Sequence, residues 1–212
     1  MKTADLIAAL AAEPPPPPLR LGRRVALALV LGVGVSAVLF MTALGPRHDF
    51  AAAAHTMRFD LKFLDTLALL APSALLAARL LRPEARPGAL VAALIAPFVL
   101  LGGAVIVELA VVPADLWMTR LIGTNALHCL TLIPLMSIPP LTALIVAMRA
   151  GAPSHPALTG ALAGAAAAGA AATIYATNCT DDSPLFVASW YPLATLVVVA
   201  VGALAGRKWL QW

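Results

Sequence analysis

VALALVLGVGVSAVLFMTAL, residues 25–44, is a run of twenty residues without a charged side chain. As a helix rising ~1.5 Å per residue it reaches ~30 Å, the thickness of a bilayer's hydrocarbon core. Arg20, Arg23 and Arg24 precede it, and Gly45, Pro46 and Arg47 follow. Five stretches of the same character lie at 61–81, 89–112, 127–148, 157–177 and 190–205. They are solid blocks rich in Ala and Leu, whereas a transmembrane barrel shows ~10-residue segments that alternate apolar and polar. The pattern therefore predicts an all-α, polytopic membrane protein with six transmembrane helices. Composition agrees: of 212 residues, 61% are hydrophobic and only 11% charged, with mean hydropathy +0.92, whereas soluble domains carry about a quarter charged residues. The 14 Gly and 18 Pro have no collagen-like period, and two cysteines cannot build a disulfide framework.

The basic residues set the orientation. With the N-terminus inside, Lys2, Arg20, Arg23, Arg24, Arg79, Arg82, Arg86, Arg149, Arg207 and Lys208 fall on the inner side, against Arg47, Arg58, Lys62 and Arg120 outside. The positive-inside rule then gives N-in and C-in. The net charge of +4 is thus a topology signal and gives no reason to expect nucleic-acid binding. The first apolar run starts only after a polar leader, so a cleaved signal peptide fits poorly. Three parts result: a cytoplasmic leader at 1–24, a membrane domain at 25–206 and a cytoplasmic tail at 207–212.

Within the leader, Thr3 is placed to cap a short helix over 4–12, with Leu6, Ile7 and Leu10 on one face. Helices this short are marginal alone in water and form mainly against a partner. Pro14 to Pro18 then make a polyproline spacer of ~15 Å. A short apolar face on a stiff stalk suits a partner's groove.

Cys129 opens the fourth span and Cys179 follows the fifth, so both arms of that hairpin rise ~30–33 Å from one short inner loop and end at similar depth. On the outer face of a bacterial inner membrane a disulfide can persist. His128 adjoins Cys129, and Asp181 and Asp182 adjoin Cys179; two thiolates with an imidazole or carboxylate suit a soft or borderline metal ion, although no CxxC pairs are present. A disulfide or redox-sensing pair ranks first, a metal-responsive pair second and inert buried thiols third.

Other charged residues near the membrane read as structural: Lys62 with Asp65 at i, i+3, and Glu108 with Arg120. His48, His55 and His155 read as solvated. Pro134, Pro139 and Pro140 predict a kinked fourth span. Gly160 and Gly164 predict close helix packing, with homodimerisation a weaker reading. The sequence holds no Walker loop, GxSxG or HExxH, and no enzyme is expected.

The leader Met1-Lys2-Thr3 with Leu6, Ile7 and Leu10, the stretch His128-Cys129 with Ile133-Pro134-Leu135 and Pro139-Pro140, and above all Asn178-Cys179-Thr180-Asp181-Asp182-Ser183-Pro184-Leu185-Phe186-Val187 with Trp190-Tyr191 together resemble the NrsF family of membrane anti-sigma factors. The resemblance covers nearly the whole chain. It implies a multi-pass inner-membrane protein that sequesters an extracytoplasmic-function sigma factor and releases it under heavy-metal or oxidative stress. It further implies that Cys129 and Cys179 are the sensing residues and that the leader is the sigma-binding element. No cofactor is required; transient binding of a soft metal ion is the one ligand expected, and lipid the second partner. Two other classes compete. A membrane thiol oxidoreductase lacks its CxxC motif and relay pair, and a small metal transporter lacks a polar path through the midplane.

Overall fold

In a computed structural model the described residues are 3–4 and 21–211, so Leu6, Ile7, Leu10 and the proline stretch 14–18 lie outside them. The described residues form helices and loops, with no strand among them. The long helices are α1 (Leu21–Ala43), α2 (Met57–Arg79), α3 (Ala96–Val111), α4 (Ala126–Met148), α5 (Pro156–Ala176) and α6 (Pro184–Trp209). All six are parts of segments long and apolar enough to cross a membrane.

Several helix ends lie four or more residues from the sequence reading, and proline accounts for two departures. The third span is a one-turn helix, Leu90–Ala93, followed by α3, because Pro97 brings no N–H to the turn that would join them. The sixth begins at Pro184 rather than near residue 190, since proline at the first helical position lacks only a donor that would be unpaired anyway. The segment between α3 and α4 also folds locally, as a 3₁₀ turn (Ala114–Leu116) and a short helix (Trp117–Ile122).

Helix α5 is the centre of the bundle. Its span is 72% buried, against 11% for the span containing α3. A helix surrounded on all sides cannot carry one apolar stripe, which is why its sequence is alanine and glycine nearly throughout. Gly160 packs on Gly202 and Gly206 of α6, and Gly164 on the backbone of Val198 and Val199; a Cβ at Gly160 would lie 2.7 Å from the Gly206 Cα. The two GxxxG faces therefore close on each other within one chain, which takes Gly160 and Gly164 out of the homodimer reading.

The prolines of α4 are integrated in a comparable way. The helix runs unbroken through Pro134, Pro139 and Pro140. Pro140 has no N–H for the Met136 carbonyl four residues earlier, and Ser36 Oγ of α1 donates to that oxygen at 2.7 Å. Gly32, one turn before Ser36, lets α1 lie directly on the Pro139-Pro140 backbone. Ser36→Ala should leave a buried carbonyl unpaired and cost about 1–2 kcal/mol. Unfolding in detergent should show that loss, whereas Thr42→Ala, at an exposed hydroxyl that only bonds its own helix, should stay within about 0.5 kcal/mol of wild type.

Candidate functional site

The loop from Asn178 to Ser183, between α5 and α6, sits at the end of the bundle that holds both cysteines. Cys129 and Cys179 are each 0% exposed and belong to one apolar cluster with Ile133, Tyr175, Phe186 and Tyr191. Both are free thiols. Burial pushes the Cys179 thiol above its ordinary pKa, and the charge of Lys62 opposes this in part. The closed site thus holds Cys179 as a protonated, weakly nucleophilic thiol. Its Sγ lies 3.8 Å from the Asp181 carbonyl.

The loop over the thiols is fastened to every neighbouring connection. Lys62 of α2, fully buried, donates to the Cys179 carbonyl at 2.9 Å and pairs with Asp182 at 2.5 Å. Arg47, after α1, donates to the same carbonyl at 3.2 Å and pairs with Asp182 at 2.8 Å. Its guanidinium also pairs with Asp49 at 2.6 Å, and those hydrogen bonds hold the Asp49 carboxyl below its usual pKa. Both cations lie over the Phe59 ring, at 5.9 Å for Arg47 and 5.5 Å for Lys62. Asn178 Nδ2 donates to Gly45 O at 2.9 Å, and Arg47 N to Thr177 O at 3.0 Å.

Asp181 completes the fastening from the other side. Its Oδ2 accepts from the backbone N–H groups of Thr124 and Asn125, at 2.9 and 2.8 Å, and from Asn125 Nδ2 at 2.9 Å. These donors precede α4, so the carboxylate sits where the helix dipole favours negative charge, one turn from Cys129. Gly123 makes the approach feasible: its φ is +59°, and a Cβ there would lie 2.5 Å from Phe186 Cδ2 and 2.8 Å from the Asp181 carboxyl carbon. At the far edge Ser183 Oγ donates to Glu108 at 3.2 Å, and Glu108 pairs with Arg58 at 2.6 Å and Arg120 at 2.7 Å.

The expected Glu108–Arg120 pair is therefore present, with Arg58 as a second cation. The expected Lys62–Asp65 pair is replaced by Lys62–Asp182, because the loop offers Lys62 a carboxylate and a carbonyl together. Asp65 Oδ1 has no hydrogen-bond partner. His128 is exposed although the adjacent Cys129 is buried, and Asp181 and Asp182 are engaged as described. Among the described residues no group of three or more His, Cys, Asp or Glu is arranged to hold a metal ion. His48, His55 and His155 are exposed.

The loop so fastened is also the stretch that carries the sequence resemblance. The model of a family described as NrsF, negative regulator of sigma F, matches residues 10–212. The chain belongs to the NrsF family. It is 34% identical over 220 residues to the probable anti-sigma-F factor NrsF of Azospira oryzae and 33% identical over 222 residues to the anti-sigma-F factor NrsF of Caulobacter vibrioides, in both cases across the full length of both chains. No solved structure matches the chain. In this NrsF-family chain the residues that the sequence alone did not single out are Arg47, Thr124 and Asn125. Thr124-Asn125 ahead of the apolar run at 127 does carry an N-cap signal. Arg47 carries none, since its role depends on a partner 135 positions away.

Proposed function

We propose that this chain is a membrane anti-sigma factor. Its cytoplasmic leader, through Leu6, Ile7 and Leu10, holds an extracytoplasmic-function sigma factor at the bacterial inner membrane, and Cys129 and Cys179 release it in response to a soft metal ion or an oxidant on the outer side. The observation that carries the sensing role is the enclosure of the chain's two cysteines in one buried cluster, under a loop pinned by Lys62, Arg47, Thr124 and Asn125. Bonding a metal to these thiols, or joining them, changes the contact between α4 and the end of α5 and so biases two packings differently.

Charge supports the N-in orientation. At the cysteine end Arg47, Arg58, Lys62 and Arg120 each pair with a carboxylate, Asp182 serving two of them and Glu108 the other two. At the opposite end, Arg23, Arg24, Arg79, Arg82, Arg86, Arg149, Arg207 and Lys208 share the side with one acidic residue among the described residues, Glu84. Ten Lys and Arg on the inner side against four on the outer are what the positive-inside rule requires. Regulation by capture needs no catalytic group, and none is assigned.

Two variants test the reading separately. A chain lacking residues 1–20 should no longer co-purify with its sigma factor from gentle detergent, while keeping the wild-type melting profile; retained capture moves the binding surface to the inner loops. Cys129→Ser with Cys179→Ser should still capture the sigma factor but give no transcriptional response to cadmium or to a thiol oxidant. An unchanged response removes the sensing role from the cysteines.

A further inference from the structure

At the end of the bundle opposite the cysteines, the chain leaving α2 and the start of α1 enclose a cleft of about 660 Å³, lined by Leu21, Gly22, Arg79, Arg82, Glu84 and Arg86 among others. The three arginines stand at i, i+3 and i+7. Near-helical turns continue past the end of α2, with Arg82 N–H donating to Arg79 O at 3.4 Å and Ala85 N–H to Arg82 O at 3.1 Å, so all three side chains converge on the one cleft. Among the described residues none of the three pairs with a carboxylate, whereas all four cations at the cysteine end do. The loop that carries them is fixed to the connection between α4 and α5: Ala152 N–H donates to Leu81 O and Ser154 Oγ to Pro83 O, both at 2.8 Å.

Exposed charges are screened by water and salt, so the arginines by themselves select no ligand. The surface beside them does. A groove of about 420 Å³ shares Arg82, Pro83, Ala85 and Arg86 with the cleft and continues along the spans between Leu76 and Leu80 of α2 and Leu158 and Leu162 of α5. Leu162 lies six residues into α5, so the groove reaches ~9 Å along that helix from its inner end. Guanidinium groups match phosphate oxygens two at a time, and an apolar groove that ends at them matches a hydrocarbon chain. A free phosphate would leave the groove empty. An acidic peptide would have to follow it into the hydrocarbon layer, where its backbone N–H and C=O groups find no partners. An anionic lipid fits both parts, and basic pockets between spans on the cytoplasmic side suit such head groups.

We propose that this cleft and groove form a binding site for an anionic phospholipid, with its phosphate on Arg79, Arg82 and Arg86 and an acyl chain along the groove between α2 and α5. The proposal rests on the membrane reading of the six spans and is independent of the sigma-factor and thiol readings. Leu21, the first residue of α1, is on the cleft wall, so a bound head group touches the base of the leader.

The test is native mass spectrometry of the full-length protein in a mild detergent, titrated with dioleoyl phosphatidylglycerol or dioleoyl phosphatidylcholine, which share their chains and differ in head-group charge. Wild type should take up phosphatidylglycerol at far lower concentration than phosphatidylcholine. Arg82→Gln with Arg86→Gln should weaken phosphatidylglycerol binding about thirtyfold, two cations each at the strength of one basic residue near an anionic surface. Arg207→Gln with Lys208→Gln, two inner cations outside the cleft and groove, should bind as wild type does. Leu158→Trp, at a half-exposed position, fills the groove and keeps every charge, and it should also weaken binding. These substitutions lie on exposed side chains, so the melting temperatures without added lipid should match wild type. Glycerol phosphate, a head group without chains, should not displace the lipid at equal concentration. Equal affinity for the two lipids, or no loss in the Arg82 and Arg86 variant, overturns the site. Displacement by glycerol phosphate, or unchanged binding in Leu158→Trp, overturns the lipid as its occupant in favour of a soluble phosphate. A chain that stays soluble only in detergent yet shows no head-group preference overturns the site and leaves the membrane reading standing, so the two failures are told apart.

Discussion

Replacing Asp182 by alanine should destabilise the protein by about 3 kcal/mol, because it leaves a buried cation without its counter-ion. Lys62 is fully buried and Arg47 is 8% exposed, and Asp182 is the one carboxylate they share. Arg47 retains Asp49. Lys62 retains only carbonyl oxygens, and a carbonyl dipole does not neutralise a full charge in a low-dielectric site. The cost belongs to the stranded charge rather than to a loss of attraction, so removing the charge should restore much of it. Lys62→Met combined with Asp182→Ala should recover more than half of the loss, since Met follows the path of the lysine stem and Arg47 still donates to the Cys179 carbonyl. Thermal unfolding of the two variants in one detergent measures the difference. If the double variant is no more stable than Asp182→Ala alone, the stranded charge is not the cause.

The helical architecture could be read from the sequence because long apolar runs leave the backbone little choice. A long apolar run must satisfy its own N–H and C=O groups, so 25–44 and 127–148 could be placed to within a few residues of α1 and α4. Two departures fell where a proline, rather than hydropathy, decided the course of the helix, at Pro97 and Pro184. The charges of the site were less legible. Lys62 and Asp65 at i, i+3 satisfy a local rule, but the loop at Asp182 competes from 120 residues away with a carboxylate and a carbonyl in one place. A separation of 100 residues hides Ser36, whose function as donor to α4 depends on a missing N–H at Pro140. The meeting of the two cysteines at one end of the bundle followed from counting residues along the hairpin. Their enclosure did not, since it depends on Asp181 bonding the backbone ahead of α4 and on Gly123 leaving room for it.

That enclosure governs how any reagent reaches the thiols, and it sets the second large expected effect. Cys129 and Cys179 are both 0% exposed, so labelling must pass through opening of the 178–183 loop. When opening and reclosing are fast, the rate equals the intrinsic thiol rate multiplied by the open fraction. A loss of about 3 kcal/mol from the closed state then raises that fraction by roughly two orders of magnitude, at about 1.4 kcal/mol per tenfold. Iodoacetamide modification of Cys179, followed by mass spectrometry, should therefore run about 100-fold faster in Asp182→Ala than in wild type. Lys62→Met with Asp182→Ala should return most of the way to the wild-type rate. The dependence on pH has a definite sign. Burial raises the pKa of Cys179 in the closed state, so the closed state's advantage is complete below the ordinary thiol value of 9.0 and shrinks as pH rises above it. A free thiol of that pKa is half ionised at pH 9 and levels off above about pH 10. Labelling of Cys179 should instead keep climbing by roughly tenfold per unit above pH 9, because each further unit also favours opening. A plateau above about pH 10, or equal rates in wild type and Asp182→Ala, would show that reagents reach the thiol by a route that bypasses the loop. With the expected result, the contacts of Asp182 with Lys62 and Arg47 control access of reagents to the buried thiols.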